Sequence, residues 1–338
     1  MIEQIFLIFF MVSFLCILPI KKEFIKWPLI LVCLILIYFA AYRDQNSVND
    51  YKIYLNFWNY RDIYGTVETS FVVIRDILKY YFYFDYYSMF FVFAFLGVST
   101  KFYSISKLSP FAFYSVLIYI GHYFILHELT QIRIGVASGF FLIAIYFRIQ
   151  KRILLTLIFL GAAIFFHYST ALGIIILFLK NKKSKLYYYL IPIGYTLYFL
   201  NTRLNINISI PYIQDKLNAY NEMKKFGIGD EINVYNAVFL FRIGLFYFLM
   251  FNEERLYKYY NGSGLLIKIY GLSLFMFLFL ANIPAFSFRI QEFFGVVEIV
   301  LIPLIIYLFP KPFIGKIFVV LIAFIFLILD IYYNTYLI

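Results

Sequence analysis

Apolar runs long enough to form helices alternate with short polar linkers from one end of the chain to the other. Ile2 to Ile20, Trp27 to Tyr42, Tyr86 to Ser106, Phe111 to Leu126 and Ile132 to Phe147 each read as one span, and so do Leu186 to Asn201, Val234 to Phe251, Leu265 to Asn282, Gln291 to Phe309 and Ile317 to Tyr336. A helix needs roughly 20 residues to cross hydrocarbon. The regular period-two alternation of an outer-membrane barrel is absent. The pattern predicts an all-α polytopic membrane protein of about ten transmembrane helices.

The linkers orient these spans. "KKEFIK" (Lys21 to Lys26), Lys101 to Lys107, "RIQKR" (Arg148 to Arg152), "KNKKSK" (Lys180 to Lys185), "NEERLYK" (Asn252 to Lys258) and "KPFIGK" (Lys311 to Lys316) carry the basic residues, and such linkers mark the cytoplasmic side. One conflict arises, because a single apolar stretch, Ile153 to Leu179, separates "RIQKR" from "KNKKSK". A single tilted span would place one of them outside. The centre of this stretch holds His167, Tyr168, Ser169 and Thr170. A re-entrant helical hairpin, 153–179, with that polar apex keeps both flanks inside. Non-helical backbone at such depth requires burial in protein or a water-filled cavity.

Composition agrees: 64% of residues are hydrophobic and 14% charged, against about 25% charged in soluble domains. The net charge of +11 sits in the linkers, so membrane topology accounts for it without nucleic acid. Cys16 and Cys33 lie within apolar runs and read as small core residues. The first segment carries Glu3 and no cationic start or small-residue cleavage site, so it is expected to remain as a span. The whole chain, 1–338, reads as one transmembrane domain with outer-face stretches at 43–70 and 202–233. In the second stretch Ile213, Leu217 and Tyr220 share one face of a short interfacial helix. The first, with the segment after it, is expected to be amphipathic or partly re-entrant helix.

The polar residues near membrane depth gather on the outer side. Arg43 and Asp50 follow the second span, and Glu68 precedes an amphipathic segment. "HELTQIR" (His127 to Arg133) joins two spans, His167 tops the hairpin, and "FRIQEFF" sets Arg289 and Glu292 at the start of another span. Arginines at outer helix ends oppose the positive-inside bias, and an Arg at the membrane centre costs about 2.5–3.5 kcal/mol. Each could pair with a neighbour: Arg43 with Asp44, Arg133 with Glu128, Arg289 with Glu292. Together they suit a ligand with phosphate and hydroxyl groups, since Arg binds phosphate through a planar fork. No zinc spacing, Gly-rich phosphate loop followed by Lys, paired-Asp metal motif or nucleophile-elbow serine is present.

In this order, "YRDQNSVNDYKIY", "ETSF", "QIRIGVASGFFLIAIYF", "AAIFFHYSTALG" and "FSFRIQEFF" resemble the EpsG-type branch of bacterial polysaccharide polymerases, the O-antigen polymerases (Wzy), over nearly the whole chain. The resemblance implies a membrane glycosyltransferase-like architecture in the bacterial inner membrane, with the active site facing the periplasm. It implies transfer of a growing glycan from undecaprenyl pyrophosphate onto another lipid-linked repeat unit, without metal or other cofactor and with inversion. The partners it implies are the lipid-linked oligosaccharide, membrane lipid and a chain-length regulator protein. A pyrophosphate leaving group needs fixed cations, for which Arg133, Arg289 and Arg43 are the candidates. The acceptor hydroxyl needs a base: His167, Asp50 or Glu128. Tyr51, Tyr54, Gln131, Glu68 and Glu292 are expected to contact sugar or orient these groups. An O-antigen ligase is the nearest alternative chemistry. A lipid-linked sugar flippase or other transporter would show an internal repeat, and a membrane O-acyltransferase would take its donor from the cytoplasm.

Overall fold

Each apolar run is helical in the computed structural model, which describes all residues except Lys22, Asn46, Ser47, Asn49, 61–66, 205–231, Thr335 and Ile338. The expected helix around Ile213, Leu217 and Tyr220 lies outside the described residues. Among those described, four helices are long and apolar enough to cross a membrane: Tyr86–Leu108, Ile132–Ile149, Phe286–Leu308 and Pro312–Tyr333. Six shorter apolar helices, Ile2–Ile17, Lys26–Ala41, Ile153–Phe166, Tyr168–Leu177, Ala237–Phe251 and Ser263–Phe279, accompany them. Leu7, Phe14, Leu154 and Phe313 stand exposed on their surfaces, as lipid-facing residues must. This is a helical membrane protein.

The chain divides into two compact units, Met1–Phe178 with Glu298–Ile338, and Leu179–Val297. In the first, α1 (Ile2–Ile17) and α2 (Lys26–Ala41) are followed by two short helices, α3 (Tyr51–Asn59) and α4 (Thr69–Asp76). These occupy the polar stretch after the second span. A nine-residue helix is marginal alone. Here α4 and the turn after it cap the end of α3: Arg75 donates to the carbonyls of Phe57 (3.1 Å) and Tyr60 (2.9 Å), and Lys79 to that of Trp58 (2.7 Å).

α5 (Tyr86–Leu108) packs along α7 (Ile132–Ile149), and α7 along α8 (Ile153–Phe166). Lipid supplies no hydrophobic force between helices, so close approach depends on small residues and internal polar pairs. α5 and α7 meet through Gly97, Thr100, Gly135 and Gly139. The absent side chain of Gly97 makes room for the Glu128 carboxylate, and that of Gly139 for Thr100. Into this seam goes Lys101, fully buried, donating to Glu128 Oε1 and to the Gly135 carbonyl, both at 2.6 Å. Lys101 is therefore no linker charge, as its grouping with Lys107 suggested. It lies two turns inside α5, where only a partner in the same dry seam makes its charge tolerable.

Between α6 (Ala112–Ile118) and α7 the backbone widens into a π-helix, Tyr119–Thr130. π-helix is rare and is often found at functional sites. It packs against α15 (Pro312–Ile328), with Gly121 against the Ala323 backbone. The second unit contains α9 (Leu190–Leu204), α10 (Ala237–Phe251), α11 (Glu253–Tyr259), α12 (Ser263–Phe279) and α13 (Pro284–Gly295). α14 (Glu298–Leu301) returns the chain to the first unit.

The seam supplies a matched pair of substitutions. Gly97→Ala forces a methyl group against the Glu128 carboxylate, and should lower the melting temperature of the detergent-solubilised protein by several degrees. Gly161→Ala in α8, whose new methyl meets nothing within 4 Å, should leave it unchanged or raise it, because Ala favours helix over Gly by about 1 kcal/mol. Equal melting temperatures for the two would contradict this packing.

Candidate functional site

The polar residues of the first unit converge from four parts of the chain, and "HELTQIR" is split between two jobs. His127 and Glu128 turn inward at the end of the π-helix and are buried. His127 Nδ1 meets Ser138 Oγ at 3.1 Å. Glu128 takes Lys101 and, at 3.1 Å, the Tyr119 hydroxyl. Gln131 caps α7 and Arg133 follows in its first turn, both only partly buried.

Arg133 does not pair with Glu128, five residues away. Its Nη1 donates to Glu68 Oε2, and the other oxygen of that carboxylate, Oε1, bonds His167 Nδ1. Glu68 is the N-terminal flanking residue of α4, in extended backbone. His167 is the residue at which α8 breaks, also extended (φ −156°, ψ 113°), before a 3-10 helix, Tyr168–Leu177. The neighbouring residues bind as well: the Tyr168 hydroxyl lies 3.2 Å from Thr69 N and 2.8 Å from Thr69 Oγ1. Two consecutive residues thus dock on two others, fixing Glu68 relative to His167. Burial raises the pKa of Glu68, but the His167 hydrogen bond and the Arg133 charge outweigh it and push the pKa down to about 2. The carboxylate is an anion at neutral pH.

Aromatic rings from α3 floor the site. Arg133 lies 6.0 Å from the Tyr54 ring centroid and 5.8 Å from that of Phe57, within cation–π range. Tyr54 in turn meets Phe90 edge-on at 6.4 Å, and Tyr51 stacks on Phe90 at 4.7 Å. On the Phe90 face lies Arg43, with its Cζ 4.3 Å from the ring centroid. Its Nη1 donates to the carbonyls of Glu128 and Leu129, the latter at 2.8 Å. Arg43 Nε and Nη2 are buried without a hydrogen-bond partner among the described residues, as is Arg133 Nε. Buried guanidinium N–H groups left unpaired are costly. Such groups have the chemistry to donate to an anion.

Of the sequence candidates, Arg43, Tyr51, Tyr54, Glu68, Glu128, Gln131, Arg133 and His167 thus lie on connected elements of one unit. Asp50 caps the start of α3, half-buried. Arg289 and Glu292 lie on α13 in the second unit, the first exposed and the second buried. Phe90, Lys101 and Tyr119 complete the arrangement and were not among the candidates; the signal for Lys101 was a charge inside an apolar helix. Two further buried pairs lie beyond them: His122 with Asp330 at 2.6 Å and Tyr123 with Glu298 at 3.0 Å. Among the described residues no three His, Cys, Asp or Glu side chains gather as a metal site.

Comparison with known proteins bears on what this arrangement is for. The amylovoran biosynthesis protein AmsC of Erwinia amylovora is 26% identical over 149 residues, 43% of this chain and 38% of AmsC. The match thus spans about two fifths of that relative's length. No solved structure matches the chain. The family model of EpsG matches residues 26–338, and with that coverage the chain belongs to the EpsG family.

Proposed function

We propose that this protein is a polysaccharide polymerase: a glycosyltransferase that moves a growing glycan from undecaprenyl pyrophosphate onto the terminal sugar of another lipid-linked repeat unit at the periplasmic face of the inner membrane. Family membership and the similarity to an amylovoran biosynthesis protein support the class. The observation that carries the chemistry is the Glu68 carboxylate, which holds a guanidinium on one oxygen and an imidazole on the other.

In this reading the acceptor hydroxyl attacks the anomeric carbon as the bond to the pyrophosphate oxygen breaks. The hydroxyl proton passes to His167 Nε2. Glu68 accepts the Nδ1–H of His167 and so keeps Nε2 as the basic nitrogen. Negative charge develops on the departing pyrophosphate, where the unpaired edge of Arg43 and Nε of Arg133 neutralise it. A single displacement with one base inverts the anomeric centre. Glu128 is not used as the base, because Lys101 and Tyr119 already engage its carboxylate. It serves instead to hold the backbone whose carbonyls grip Arg43. Asp50 flanks the acceptor side. Arg289, Glu292 and the chain-length regulator belong to later steps of glycan handling.

The reading includes about ten spans and the hairpin. What supports the hairpin is Arg148, from the basic end of α7, which donates to the carbonyls of Ile176 and Leu177 at 3.1 Å each. The returning arm therefore ends level with the linker that precedes α8. α8, with 14 residues, is about 21 Å long, and the 3-10 arm, with 10, about 20 Å. Arms of equal length, shorter than a hydrocarbon core of about 30 Å, bring His167 about two thirds of the way across, on the outer side of the midplane. Single cysteines at Gln150 and Lys185, in a background without Cys16 and Cys33, should both be shielded from an impermeant thiol reagent added to intact spheroplasts. Labelling of either would sink the hairpin.

With purified protein and lipid-linked repeat units, His167→Gln should lower turnover about 10²–10⁴-fold while donor binding changes little. Arg43→Lys and Arg133→Lys keep the charge but lose the fork, and each should cost about tenfold or more in donor binding or turnover. Near-normal activity of all three variants would overturn the assignment. In cells, loss of the gene should leave one repeat unit on the lipid acceptor; complete absence of transferred glycan would favour the ligase reading.

A further inference from the structure

The second unit contains a cavity, lined by charged residues, that the proposed reaction does not use. It has a volume of about 500 Å³ and is lined by Lys182, Lys183 and Lys258, with Glu253, Glu254 and Tyr257. It lies where α10 ends, α11 turns and α12 begins. Apolar helices stop there, so the cavity sits at a membrane boundary, and the basic linkers around it mark that boundary as cytoplasmic.

Its lysine-bearing wall is fixed from behind. Asn181 Oδ1 accepts from Leu265 N at 3.0 Å, and the Asn181 amide donates to the Asn261 carbonyl. Lys268, buried within α12, donates to the carbonyls of Lys180 and Lys182. These bonds fix the backbone that carries Lys182 and Lys183, which lowers the ordering cost of a ligand. Lys183 itself pairs with Glu254 at 2.9 Å, both side chains well exposed. Such a pair contributes little and is easily exchanged.

Glu253 gives the cavity its selectivity. It is buried, 3% exposed. Oε1 lies against Gly264, where a Cβ would come within 2.8 Å of it. Oε2 is buried with no hydrogen-bond partner among the described residues. Burial pushes the pKa of Glu253 up, with the Lys268 and Lys183 charges opposing that shift. Lysines alone would accept any anion. A buried carboxylate oxygen beside them repels a bare anion and calls for a hydrogen-bond donor next to the negative group.

We infer that this cavity binds a phosphate ester that also carries a hydroxyl or ammonium group, the chemistry of a phospholipid head group: the phosphate lies among Lys182, Lys183 and Lys258, and the hydroxyl or ammonium donates to Glu253. The polymerase reading plays no part in this, since the ligand contacts only the second unit. Its position at the boundary favours a lipid of the inner leaflet over a soluble ester.

The test is native mass spectrometry of the full chain in detergent with phosphatidylglycerol, phosphatidylethanolamine or phosphatidylcholine added. The first two should bind about tenfold more tightly than phosphatidylcholine, whose quaternary ammonium has no hydrogen to donate. Glu253→Leu, which leaves no acceptor at this position, should abolish that preference, and the combined Lys182→Gln, Lys183→Gln, Lys258→Gln variant should weaken all three. Failure of millimolar glycerol 3-phosphate to compete would identify the lipid as the source; full competition would support the same site with a soluble ester. Equal binding of the three lipids by the unsubstituted protein overturns the inference, and it needs no variant to fold. A preference that survives Glu253→Leu overturns it too.

Discussion

One carboxylate ties the site together. Glu68 lies at the start of a short helix outside the apolar core and reaches two groups that come from different parts of the chain, Arg133 in the first turn of α7 and His167 at the break after α8. Without it, a guanidinium and an imidazole would face each other across a poorly solvated space. With it, each is held by a charge-assisted hydrogen bond, the stronger kind. The short helices α3 and α4 are there to deliver this residue and the aromatic floor beneath Arg133. They stay in place because Arg75 and Lys79 occupy carbonyls at the end of α3.

Beneath the site lies a second, drier pair. Lys101 and Glu128 meet in a seam kept narrow by Gly97, Gly135 and Gly139. Removing one partner of such a buried pair typically costs about 3–5 kcal/mol, mostly because the other is left charged and alone. The same turn of backbone presents the carbonyls of Glu128 and Leu129 to Arg43. Sequence order thus becomes geometry in two steps: the pair fixes the π-helical turn, and the turn fixes the arginine. Arg43 uses one nitrogen on that turn, and its Nε and Nη2 have no hydrogen-bond partner among the described residues.

Much of this was legible in the sequence, and what escaped did so for physical reasons. Apolar period and linker charge announced the helices, and polar residues out of place in an apolar chain announced Arg43, Glu68, Arg133 and His167. Their pairing was not legible, because proximity in sequence favours Glu128 for Arg133 whereas the fold brings Glu68 from 65 residues away. Lys101 was counted with a basic linker because it lies near the end of its run; only the facing glycines reveal that it points into a seam. The π-helix has no sequence signature, and neither does the pairing of His122 with Asp330, 208 residues apart. The carboxylates of Glu298 and Asp330, set within apolar runs, were a readable signal of buried partners.

The central claim is that the negative charge of Glu68, more than its shape, assembles the reacting groups. The most direct measurement is the length distribution of the surface glycan made by a strain whose only copy of the gene encodes Glu68→Gln, present in the membrane at the normal level. The substitution keeps the side chain's size and its ability to hydrogen-bond and removes the charge that Arg133 and His167 share. The account predicts single repeat units with no ladder of longer chains. A full ladder, indistinguishable from that of the unsubstituted protein, would contradict it.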